Sequence, residues 1–194
     1  MSSKSSLQGE RGFTLAELVV AIGIIGILFS VVFANYRQYD SRILLQNLAH
    51  EIAISVREAQ ILSISVTGAS NDFNVNYGVE FTEAVNNRYS IFSRVAGAGS
   101  GSDTDVRVID ITRGNRIGDI ILCEAGEDYP DDCDNTIESA KVLFKRPHLI
   151  ADIEVDGALA TGANEVILLV SGPVGTDLPD REVHLSKSGR ITVR

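Results

Sequence analysis

A chain of 194 residues has room for one domain and an appendage, and its 44% hydrophobic and 22% charged residues exclude a disordered chain and a polytopic membrane protein. The formal charge is −9, and Lys4 and Arg11 against Glu10 make the first twelve residues net positive, so the remainder is more acidic still. Such a surface repels polyphosphate: no general nucleic-acid binding is expected, and Lys145, Arg146, Lys187, Arg190 and Arg194 read as solvated charge.

Residues 1–12, MSSKSSLQGERG, are polar and serine-rich, end in glycine, and read as a leader. From 13 to 34 only Thr14, Glu17 and Ser30 are polar. At ~1.5 Å of rise per residue that stretch covers roughly 33 Å, a match for a hydrocarbon core of about 30 Å. Helical periodicity then continues, with Leu45, Leu48, Ile52, Val56, Ala59, Leu62 and Val66 recurring at steps of three and four. No proline or glycine interrupts between Ile27 and Thr67. The expectation is one helix over 13–66, apolar all round from 13 to 34 and amphipathic from 35 to 66. The turn-forming run TGASND (67–72) ends it.

The remainder, 67–194, is a succession of short β-branched or aromatic runs. NVNYGVEF, RYSIFSRV, DVRVIDIT, GDIILC, AKVLFK, ADIEV, EVILLV, EVHLS and RITVR are separated by turn-rich stretches such as GAGSGSDTD, EAGEDYPDD and DGALATGAN. HLSKSGRITVR reads as a closing hairpin about Ser188 and Gly189. Strands of this number and length predict an α+β fold: a long N-terminal helix packed on a C-terminal antiparallel, sandwich-like β head, its amphipathic half covering an apolar sheet face.

Cys123 and Cys133 stand in CEAGEDYPDDC, which has no metal-ligand spacing, and His50, His148 and His184 are scattered. Behind a membrane segment the pair reads as an exported disulfide, with two buried free thiols as the alternative. Closing so short a loop contributes on the order of 2–3 kcal/mol. Around the cysteines, Glu127, Asp128, Asp131 and Asp132, with Glu124 and Asp134, offer oxygen atoms of the kind Ca²⁺ takes, although the spacing fits no EF-hand and solvated acids are the plainer reading. No nucleophile motif, metalloprotease motif or phosphate loop is present, so neither enzyme activity nor a cofactor is expected.

Glu17 is the residue that needs explaining, because a carboxylate in hydrocarbon costs several kcal/mol unless paired. A signal peptide cut after Ala34 has a shorter apolar run and no acid inside it. A plain anchor accounts for the length but not for Glu17, nor for Gly12 directly before the run. Cleavage after Gly12 explains both. It frees an α-amine on Phe13, largely protonated with a reference pKa of about 7.7–8.0, one helical turn from Glu17. Paired within a chain or between chains, the amine makes Glu17 tolerable in hydrocarbon, and between chains the two charges would pin the register of neighbouring helices.

At these residues, GFTLAELVVAIGIIGIL resembles the N-terminal signal of type IV pilins and type II secretion pseudopilins: a short leader ending in glycine, then phenylalanine, then glutamate four residues on. The resemblance implies cleavage by prepilin peptidase between Gly12 and Phe13, N-methylation of Phe13, and assembly through Glu17 into a filament. The partners it implies are other pilin or pseudopilin subunits, an inner-membrane assembly platform, and membrane lipid before assembly. It implies a single pass of the cytoplasmic membrane with the head outside, and then a periplasmic or cell-surface filament. LAHEIAISVREAQILSISV, KVLFKRPHLI and VHLSKSGRITV look like the H-type minor pseudopilins and related minor pilins, which carry a β-sandwich head. Many major pilins have a proline about twenty residues into the mature helix, where this chain has Ala34 and its neighbours, a departure that favours a minor pilin or pseudopilin. Gly23 and Gly26 either loosen the helix on assembly or permit close helix packing. The competing reading is a membrane-anchored binding or adhesive module that does not polymerise.

Overall fold

The structure, a computed structural model, describes residues 13–65, 74–127, 129–145, 150–176 and 178–194, without the side chains of 34–39 and 100. The leader with Gly12, the 67–72 turn, Val66, Asp128, Arg146 and His148 lie outside the described residues. The chain forms helix α1 (Leu15–Ile64) and then strands only, apart from two single turns of 3₁₀ helix. It divides into two units between Asp40 and Ser41.

In the first unit, the α1 segment Leu15–Phe33 has a mean hydropathy of 2.6 and is long and apolar enough to cross a membrane. Its large apolar side chains are at least half exposed on every side, from Leu15 to Phe33. A helix apolar all round has no polar face for water, so its surroundings must be lipid or other apolar helices.

In the second unit, the remainder of α1 buries one stripe: Leu45, Leu48, Ala49, Ile52, Val56 and Ala59. The head strands are β1 (Val75–Thr82), β2 (Arg88–Val95), β3 (Thr104–Asp110), β4 (Arg116–Glu124), β5 (Asp134–Ile137), β6 (Ser139–Phe144), β7 (Ala151–Val155), β8 (Ala158–Leu159), β9 (Ala163–Ser171), β10 (Arg181–Ser186) and β11 (Ile191–Val193). They make two antiparallel sheets, ordered β3-β2-β1-β6-β7-β8 and β11-β10-β9-β4-β5. Alternation decides the faces. In the first sheet Val79 pairs with Ile91 and Val142, and Phe81 with Tyr89 and Ala140. In the second, Leu168 pairs with Ile120 and Val183, and Val166 with Leu122 and Leu185. These inward sets and the helix stripe form one hydrophobic core.

Polar bonds tie the helix to both sheets. Ser55 Oγ and Tyr89 Oη lie 3.0 Å apart, the Tyr77 amide donates to Ser63 Oγ at 3.0 Å, and Gln60 Nε2 donates to the Gly189 carbonyl at 2.7 Å in the β10–β11 turn. Gly189 has a φ of 81°, the left-handed conformation that a tight hairpin needs, so the closing hairpin read from the sequence is present. Glu58 pairs with Arg107 on β3.

The expected α+β architecture holds. Two elements were not foreseen. DNTI, of which only Asp134 was expected in an acidic loop and the rest was unassigned, pairs as β5 with β4, and AL, predicted as turn, pairs as β8 with β7. Neither has the apolar alternation that marks a strand, and each is an edge strand held by its neighbour's backbone.

Candidate assembly segment

The first described residues build a helix N-terminus of a specific kind. Thr14, Leu15, Ala16 and Glu17 form a T-x-x-E capping box, with Thr14 ahead of the first helical residue. The Glu17 amide donates to Thr14 Oγ1 at 3.3 Å, and the Thr14 amide donates to Glu17 Oε2 at 2.9 Å. The Thr14 hydroxyl also donates to Glu17 Oε2, at 2.8 Å. Helix starts leave four amides without intrahelical partners, and this exchange satisfies two of them while placing an anion at the positive end of the macrodipole.

Glu17 therefore has a partner within the chain, and it is Thr14. The sequence reading had missed Thr14, although the T-x-x-E spacing was there to be read. Phe13 is 87% exposed and makes no claim on the Glu17 carboxylate. Both known bonds to that carboxylate end on Oε2, which leaves Oε1 for a cation. Phe13, Ala16, Val20, Ala21 and Ile24 line a shallow apolar groove along the helix flank with Glu17 inside it. A Cβ added at Gly23 or Gly26 would meet nothing within 4 Å, so those positions are open to a close neighbour. The segment presents a capped carboxylate in an apolar strip.

In the head, Cys123 and Cys133 are joined, with the sulfurs 2.02 Å apart, which decides between disulfide and free thiols. Of the calcium candidates, Glu127 accepts a hydrogen bond from the Glu124 amide at 2.7 Å, Asp131 and Asp132 face solvent, and Asp128 lies outside the described residues. Asp134 accepts from the Thr136 amide and hydroxyl, which holds its carboxyl below the ordinary range. Among the described residues no group of three or more His, Cys, Asp or Glu is placed to hold a metal.

Residues 7–33 match the family model of the prokaryotic N-terminal methylation motif. The N-terminal segment carries that motif. Two fimbrial proteins of Pseudomonas aeruginosa are each 27% identical over 81 residues, 40% of this chain and 53% of theirs. Fimbrial protein Q of Moraxella bovis is 28% identical over 115 residues, 57% of this chain and 73% of its own. The chain spans about half the length of the Pseudomonas relatives it matches. No solved structure matches it significantly. The matched residues thus run through the capping box and the whole exposed apolar stretch to Phe33.

Proposed function

We propose that this chain is a structural subunit, a minor pilin or pseudopilin, of a type IV pilus or type II secretion-like filament. The carrying observation is the conjunction at its N-terminus: a methylation motif over 7–33 that holds a capped Glu17 at the start of a helix exposed and apolar on every side. Such a helix is stable either in lipid or among its own kind, and a filament core supplies the second environment. Prepilin peptidase cuts between Gly12 and Phe13, and Phe13 is N-methylated. The amine so formed is a cation within reach of Glu17: pairing within the subunit neutralises Glu17, and pairing with Glu17 of a neighbouring subunit selects a register.

The similarity to fimbrial proteins of two organisms supports a structural rather than an enzymatic role. The remaining partners are other pilin or pseudopilin subunits, an inner-membrane assembly platform and, before assembly, membrane lipid. The helix crosses the cytoplasmic membrane with the head outside, and after extraction the head faces the periplasm or the cell surface. Mass spectrometry of the mature protein from its native host tests the processing step. A chain that begins at N-methyl-Phe13 supports the proposal. A start at Asn35 means ordinary signal-peptide cleavage, and an intact N-terminus leaves a tethered binding module; either outcome overturns it.

A further inference from the structure

The face of the second sheet turned away from the main core carries an apolar strip of its own. Ile121 on β4 pairs directly with Ile167 on β9, and Leu169 lies two residues further along the same face. The alternate residues of β9, Val166, Leu168 and Val170, point the other way into the core. An outward strip at the centre of a sheet should be wet, yet Ile167 is 0% and Ile121 7% exposed.

Their cover is short. Tyr129 and Cys133 pack on Ile121, Cys123 and Ile167 in a cluster separate from the main core. Two things hold them there. One is the disulfide from Cys133 to Cys123 on β4. The other is Tyr129, whose hydroxyl donates to Glu182 Oε1 at 2.9 Å and whose ring meets the His184 ring edge-on, with centroids 5.9 Å apart. His184, buried on β10, stands between Glu182 Oε2 at 3.0 Å and Glu165 Oε2 at 3.4 Å, so the Tyr129 seat is itself braced. Because the sheet separates the two clusters, uncovering the outer one leaves the inner one intact.

We infer that residues 129–133 are a redox-released strap: reduction of the Cys123–Cys133 disulfide lets the strap lift from the second sheet and bare the Ile121, Ile167 and Leu169 strip while the head stays folded. The reductant is a dithiol. Its two thiols give up two electrons and two protons and become a disulfide; the Cys123–Cys133 bond breaks, and each cysteine sulfur takes one proton. Reduction removes the covalent hold and leaves one phenol and one ring contact, which must then hold against the conformational freedom of the loop.

Hydrogen-exchange mass spectrometry on the full chain in detergent tests this, comparing the oxidised protein with the same protein in dithiothreitol and with the Cys123→Ser, Cys133→Ser double variant. The expected result is exchange at least tenfold faster in 129–133, with β1 and β9 as protected as in the oxidised protein. Equal protection of 129–133 in all forms would overturn the inference, because the non-covalent contacts would then suffice. Loss of protection through β1 and β9 would overturn it too, because the disulfide would then staple the whole head. If the double variant does not fold, the reduced wild-type protein decides alone.

Discussion

Glu17 carries two separable properties, an acceptor geometry and a charge. The capping box needs only the first: a glutamine at that position accepts from the Thr14 amide as well as glutamate does. Pairing with a protonated amine on Phe13 needs the second. Glu17→Gln therefore separates the two roles, and Glu17→Ala removes both. If register selection by charge is what the residue is for, both variants fail to enter filaments while accumulating in the membrane at wild-type level. If the cap is what matters, Glu17→Gln assembles and Glu17→Ala does not. Counting subunits in sheared filaments against the membrane pool distinguishes the outcomes.

At the scale of elements, α1 shows what a sequence reveals and what it hides. Of the periodic positions, Leu45, Leu48, Ile52, Val56 and Ala59 are buried and Leu62 is half-buried, because a stripe at steps of three and four has only one face to put in a core. The same stripe also takes in Ser55, Gln60 and Ser63, which hydrophobic pattern alone does not select; they are inside because Tyr89, Gly189 and Tyr77 meet them there. Nine strands were legible from alternation, whereas β5 and β8 exist only through pairing that no local pattern announces. The methylation motif over 7–33 was legible in the sequence and the cap made by Thr14 was not read from it, although both signals are local and linear. The Tyr129, Glu182 and His184 contact joins residues 53 positions apart and left no mark in the sequence. Ile52, 0% exposed, is the centre of the helix stripe. Truncation in Ile52→Ala should cost the head about 2–5 kcal/mol, through lost transfer energy and the cavity left behind. Urea unfolding followed by far-ultraviolet circular dichroism would read that loss, and a shift below about 1 kcal/mol would mean that the helix stripe is not part of the cooperative core.

At the scale of the whole molecule, the net charge of −9 would make the head uniformly repulsive were it not locally organised. Over the outer face of the first sheet, Arg94 binds Asp103 and Glu154, each at 2.9 Å through Nη2, and Lys141 binds Asp103 at 2.8 Å and Glu80 at 3.1 Å. Both cations lie near the buried Phe92 ring, 5.5 and 5.4 Å from its centroid, and Phe92 in turn covers Gly78, where a Cβ would come within 2.7 Å of the ring. Side chains from β1, β2, β6 and β7, together with Asp103 just ahead of β3, are thus joined by one cluster. Burial opposes the charge on Asp103, but the bonds from Arg94 and Lys141 outweigh it and hold the carboxyl below its ordinary range. Burial likewise opposes the charge on Lys141, and the bonds to Asp103 and Glu80 outweigh it and raise its pKa. A carboxyl depressed in the folded state adds stability that is complete above its unfolded value of about 3.9 and is lost as pH falls through the lower, folded value. Lys141 and Arg94 stay charged throughout that window, so Asp103 sets the acid limb of this cluster. Asp103→Asn should destabilise the head near neutral pH by about 1–3 kcal/mol, since it leaves buried donors short of an anion. The gap between variant and wild type should then close as pH falls below about 4 and through the lowered folded value, where the wild type gives up the same contribution. Urea midpoints measured down that range decide the matter: a gap that stays constant with pH would show that Asp103 acts through shape and hydrogen bonding alone, and that the cluster does not couple the stability of the head to protons.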